Sequence, residues 1–120
     1  MFANTLTLTY KTVGYVLNRI NQDNFGSEYS FLDSVQKFSL KIRHNNETAK
    51  AGSPVMARHN VLLEHTIYAT ATVPQQVRTV ALTMRAEALS DPQTLSDLNS
   101  CLEAWTSVAA NSLALSQGVN

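Results

Sequence analysis

Apolar and polar side chains alternate with a period of two along most of the first 87 residues, and the period then lengthens to that of a helix. Successive side chains of a strand point to opposite faces, so a period of two marks a strand with one face buried. "TLTLTY" (Thr5 to Tyr10) alternates cleanly, "KTVG" follows, and "YVLNRI" (Tyr15 to Ile20) returns. Together they predict an N-terminal hairpin whose turn uses Gly14, a residue free to take positive φ. "NQDNFGS" (Asn21 to Ser27) is dense in turn formers, and "EYSFLDS" reads as a weaker strand. The next stretch, "QKFSLKIRHN" (Gln36 to Asn45), sets Phe38, Leu40 and Ile42 against Lys37, Ser39, Lys41 and Arg43. After the polar "NNETAKAGSP" come two more long strands, Arg58 to Thr70 and Val77 to Arg85, separated by "ATATVPQQ". Pro74 stops ladder pairing in that loop.

From "SDPQ" onward the pattern is helical. Asp91 is placed to cap a helix with Pro92 at its first position. Leu95, Leu98, Leu102, Trp105 and Ala109 fall within about a quarter of the helical wheel, flanked by Cys101 and Val108. "NSLALSQG" continues this helix or starts a second, and Gly118 is an end signal. A run of strands followed by helices predicts an α+β domain: an N-terminal hairpin (1–22), an antiparallel meander sheet (28–87) and C-terminal helices (91–118). One helix about 10 Å across covers about two strands. The predicted apolar face is wider than that, so dimerisation is the expected remedy.

Charge changes this picture. The chain has 9 basic and 9 acidic side chains, a net charge of zero. All of the basic ones lie in residues 1–85, while Glu87, Asp91, Asp97 and Glu103 follow with no base among them. Such asymmetry predicts a shell-like sheet, basic on one surface and acidic on the helical side. The polar face would carry Lys37, Ser39, Lys41 and Arg43, then Asn60, Leu62, Glu64 and Thr66, then Thr79, Ala81, Thr83 and Arg85. Lys and Arg neutralise phosphates, while Ser, Thr and Asn donate hydrogen bonds to them. The first residues lack the basic start and apolar run of a signal peptide, and no apolar run reaches membrane-spanning length. The single cysteine permits no disulfide within the chain, which fits a reducing cytosol.

The sequence carries no Gly-rich phosphate loop, nucleophile elbow or close carboxylate pair, so no catalytic residue, metal ligand or cofactor is assigned. His44, His59 and His65 read as ordinary polar or core side chains. His59 and His65 share a strand face but lie too far apart to chelate one ion. Cys101 reads as a small buried hydrophobe and Trp105 as an anchor of helix-to-sheet packing.

In order, spacing and face alternation, these segments resemble the coat proteins of single-stranded RNA bacteriophages, the levivirus group. The resemblance runs through the N-terminal hairpin, "KFSLKIRHN", "RHNVLLEHTIYAT", "ATATVPQQ", "QQVRTVALTMRAE" and the Trp-containing helix after "LSDP". It implies an intertwined homodimer with one continuous sheet, each subunit's helices covering the partner's sheet. Leu95, Leu98, Leu102 and Trp105 would lie in that contact. It further implies an icosahedral shell, assembled in the bacterial host cytoplasm, with the polar face turned inward to genomic RNA. An RNA stem-loop would be bound as translational repressor and packaging signal. The loop Thr72, Val73, Pro74 and Gln75 would gather around symmetry axes. No enzyme, cofactor or membrane role is implied. Two positions depart from the family: Val77 stands where a base-stacking tyrosine is often found, and Leu62 where a polar group is expected. The competing reading is a cytosolic dimeric α+β module that binds nucleic acid or a small ligand on the open sheet face. A small enzyme ranks last.

Overall fold

The computed structural model describes residues 2–119. It contains six strands, β1 (Thr5–Tyr10), β2 (Val13–Asp23), β3 (Gly26–Leu32), β4 (Gln36–Asn46), β5 (Met56–Ile67) and β6 (Gln76–Glu87). Two helices follow, α1 (Pro92–Thr106) and α2 (Ala109–Ser116). Every strand pairs antiparallel with the next, in the order β1-β2-β3-β4-β5-β6. The predicted meander and terminal helices are therefore the observed architecture.

The hairpin is not a flat extension of that sheet. Three strand spacings of about 4.8 Å would put β1 roughly 14 Å from β4. Yet the Tyr10 ring lies 5.6 Å from Phe38 of β4 and 4.9 Å from His65 of β5, centroid to centroid. Tyr15 of β2 lies 4.8 Å from Phe38. The β1–β2 ribbon thus folds back over one face of the sheet. A bulge makes the fold-back possible: Arg19 pairs with Tyr29 and Asn21 with Glu28, leaving Ile20 unpaired between them. An extra residue in one strand bends it and increases its twist.

Under the ribbon lies the core: Leu17, Tyr29, Phe38, Leu40 and Ile42, with Leu6, Leu8, Tyr10, Tyr15, Phe31, Val61 and Leu63 packed around it. Tyr29 donates its hydroxyl to the carbonyl of Ala3 at 2.7 Å, which ties the chain start to the sheet. Gly26 is required where it stands, since a Cβ there would lie 1.9 Å from the Ile42 carbonyl oxygen.

Two local expectations need correction. The β1–β2 turn is made by Lys11 and Thr12, at φ 49° and 68°, and not by Gly14. Gly14 instead pairs with Thr9 inside the ladder. A two-residue turn with positive φ at both centres matches the twist of the flanking strands, and that match prevails over the residues' intrinsic preference. Cys101 is exposed, not buried. The helix start is as expected: Asp91 accepts from the Gln93 amide at 3.0 Å, with Pro92 at the first position. Gly118, at φ 73°, ends α2.

Neither helix has a buried residue. α1 runs beside β6 and leaves Leu98 67%, Leu102 52% and Trp105 49% exposed. Trp105 therefore does not anchor α1 on its own sheet. An open apolar groove of about 560 Å³ separates the two, lined by Leu82, Met84, Leu95, Leu98, Leu102 and Trp105.

Candidate nucleic-acid interface

Strand register decides which side chains share a face. Across β4, β5 and β6 the rungs are Lys37–Thr66–Val77, Ser39–Glu64–Thr79, Lys41–Leu62–Ala81, Arg43–Asn60–Thr83 and Asn45–Arg58–Arg85. All ten sequence-predicted contact residues, Lys37 through Arg85, stand on this one face, opposite Phe38, Leu40 and Ile42. Arg58 and Asn45 join them at the far rung. The ribbon covers only the other face, so among the described residues no strand or helix lies over this surface.

The surface is polar but not simply basic. Arg43 donates to Asp23 at 2.7 Å, and Arg85 makes a two-pronged contact with Glu47 at 2.7 and 2.6 Å. Lys41 lies 3.8 Å from Glu28, its register partner on β3. The Arg43 hydrogen bond, with a second from the Phe25 amide, lowers the Asp23 pKa. Glu47 is lowered chiefly by its hydrogen bond from Arg85, whose own pKa is raised by that same contact. These carboxylates stay charged and hold the cations in place. Among the described residues Lys37 and Arg58 make no ion pair.

The expectation that acids would collect on the helical side is therefore corrected: Asp23, Glu28, Glu47 and Glu64 sit among the cations. Alternation within a strand assigns a face but does not reveal a neighbour. The neighbour depends on register, and a tight β3–β4 turn at Asp33–Gln36 places Glu28 beside Lys41. That turn is held by the Asp33 carboxylate, which accepts from the amides of Val35 and Gln36 at 2.7 and 2.9 Å.

Further along the face, Asn60 donates to the Thr83 hydroxyl at 2.8 Å. Leu62 and Ala81 make one apolar rung between polar ones. The loop Thr72, Val73, Pro74 and Gln75 is exposed at the end of the sheet. The Thr70 amide donates to the Val73 carbonyl, and the Thr70 hydroxyl accepts from the Val73 amide.

Residues 3–87, all six strands, match the family described as phage phiCb5, coat protein. The chain belongs to that coat protein family. It is accordingly a bacteriophage capsid protein, a structural component that assembles into the shell of the virion. No curated protein sequence matches the chain. Among the described residues no helix is long and apolar enough to cross a membrane. The matched segment ends where β6 ends, so the polar face and the covering ribbon of the coat protein both lie within it.

Two features of the coat protein escaped the sequence reading. One is the set of ion pairs just described. The other is a pair of imidazoles, His44 on β4 and His59 on β5, which are register partners on the ribbon-side face.

Proposed function

We propose that this coat protein forms a homodimer whose polar sheet face lines the inside of an icosahedral shell and holds single-stranded genomic RNA. The carrying observation is the split character of the sheet. One face carries Lys, Arg, Ser, Thr and Asn around Glu64 and a single apolar rung, Leu62–Ala81, with no strand or helix of the described residues over it. The other is apolar beyond the ribbon and has unpacked helices beside it. Val80, at the centre of β6, is 71% exposed. A second copy pairing along β6 would extend the sheet, and its helices would cover this apolar half. Leu95, Leu98, Leu102 and Trp105 would then be dimer contacts, and the Thr72–Gln75 loops would meet between dimers.

On the inner face, Lys37 and Arg58 would meet phosphates directly. Lys41, Arg43 and Arg85 would exchange a carboxylate for a phosphate. That exchange makes binding adjustable, since neutralising a carboxylate frees a cation. Release of counterions makes it weaken as salt rises. A stem-loop offers unpaired bases to the pockets between side chains, and in that form the protein would repress translation and select its genome, as a levivirus-like coat protein does. Val77 would not stack on a base, so loop recognition here would rest on other contacts.

The test is expression of the protein alone in bacteria, followed by size-exclusion with absorbance read at protein and nucleic-acid wavelengths. Uniform particles carrying RNA are expected. Lys41→Ala with Arg43→Ala should keep the dimer and lose RNA, and Glu28→Gln should retain RNA to higher salt than the parent. A nucleic-acid-free dimer from the parent protein would overturn the RNA assignment, and so would normal RNA content in the double variant.

A further inference from the structure

One rung of the ribbon-side face lies at the margin of the ribbon, near the end of β4. His44, His59 and Met84 stand in line there across β4, β5 and β6. His44 and His59 turn their Nδ1 atoms toward each other at 2.9 Å, with ring planes at 66°. The flanking rungs, Ile42–Val61–Leu82 and Asn46–Ala57–Ala86, carry no charge on that face. His44 is exposed and borders an open cleft of about 430 Å³, so solutes reach it. Two nitrogen donors therefore converge at an accessible point with no charged side chain on their rung or on either neighbouring one, while Arg19 and Asp23 line the cleft beside His44.

We propose that His44 and His59 form a chelating site for a transition-metal cation, with divalent copper the preferred ion. The geometry selects the class. At metal–nitrogen bonds of about 2.05 Å, a tetrahedral ion needs its two nitrogens about 3.3 Å apart, while a right-angled pair needs about 2.9 Å. The two nitrogens already stand 2.9 Å apart as a hydrogen-bonded pair, so a rotation of the rings that turns both lone pairs to one point gives a bite near the right-angled one of square-planar or tetragonal copper and nickel. Copper binds nitrogen donors most tightly of the divalent first-row ions.

In the metal-free pair one ring donates its Nδ1 proton to the other. On binding, that proton moves to the donor ring's own Nε2, so both rings stay neutral and both Nδ1 lone pairs face the metal. The bound ion would clip β4 to β5 beside the cleft that His44 shares with the end of β2.

The experiment is calorimetric titration of the full chain with Cu²⁺ at pH 7.5, in a Cys101→Ser background so that the exposed thiol takes no metal. Electron paramagnetic resonance of the loaded protein then counts nitrogen donors. One ion per chain with two equivalent nitrogens is expected. His44→Asn and His59→Asn should each weaken binding by about tenfold or more, while His65→Asn should not. Absence of binding would overturn the proposal and leave a hydrogen-bonded pair. Unchanged affinity in both variants would overturn it too, as would a resonance showing one nitrogen or none. The parent resonance decides even if a variant fails to fold.

Discussion

The two halves of the sheet differ sharply in how their ribbon-side face is closed. Over β3 and β4, the ribbon supplies Leu17, Tyr10 and Tyr15, and Phe38, Leu40 and Ile42 are buried. Over β6, none of the described residues closes the face, and Val80 stands open beside a helix with no buried residue. One half is complete as folded. The other has both the apolar surface and the helical cover of a core, set side by side and not on each other. Monomeric proteins rarely leave apolar patches of such extent exposed unless a partner covers them. The difference teaches that apolar surface and helical cover can be made by one chain without being packed on each other, and it is the open half that the proposed dimer would complete.

Three changes probe that contrast. The largest effect is expected from Leu102→Asp in the open half, which should abolish dimers and particles outright, as read by size-exclusion. A charge cannot be buried unpaired in an apolar contact. Phe38→Ala in the closed half should act on folding, costing about 3–5 kcal/mol, as read from the denaturant midpoint. Phe38 touches Tyr10, Tyr15, Phe31 and His65, so the ribbon loses its main support.

The smallest effect is a pH dependence. His65 is buried against Phe38 and Tyr10, and its Nε2 lies 2.9 Å from Gln36 Oε1. Gln36 in turn donates to the Tyr15 hydroxyl at 3.1 Å. Burial lowers the His65 pKa below the ordinary 6.5, with the charges of Arg78 and Lys11 acting in the same direction. The unfolded chain therefore takes up this proton first as pH falls. Stability from this group is complete above 6.5 and declines below it. Thermal melting between pH 7.5 and 5 should show the decline, and His65→Gln should flatten it.

The strands were legible because alternation is strict wherever one face is buried. "KFSLKIR" could be placed on two faces residue by residue, and β4 lies where its pattern puts it. The helix start was legible in Asp91 and Pro92, whose local chemistry needs no tertiary partner. The ribbon's fold-back was not legible, since a bulge at Ile20 leaves no mark on the hydrophobic pattern. Pairings between strands were hidden for a related reason. Glu28 meets Lys41, and His44 meets His59, only through registers fixed by turns, and one residue of slip would separate them. Once the Asp33 turn is recognised, counting outward from it places Glu28 opposite Lys41. The same counting across β4 and β5 requires the length of the irregular 47–55 connection, which no local signal supplies.

The central claim, that a second copy completes the open half along β6, is tested most directly by residue-resolved hydrogen exchange of the β6 amides that point away from β5. Pairing with a partner's β6 predicts protection comparable to that of β4 in the protein as purified. Exchange of those amides within seconds, beside a protected β4, would contradict it, leaving β6 a free edge.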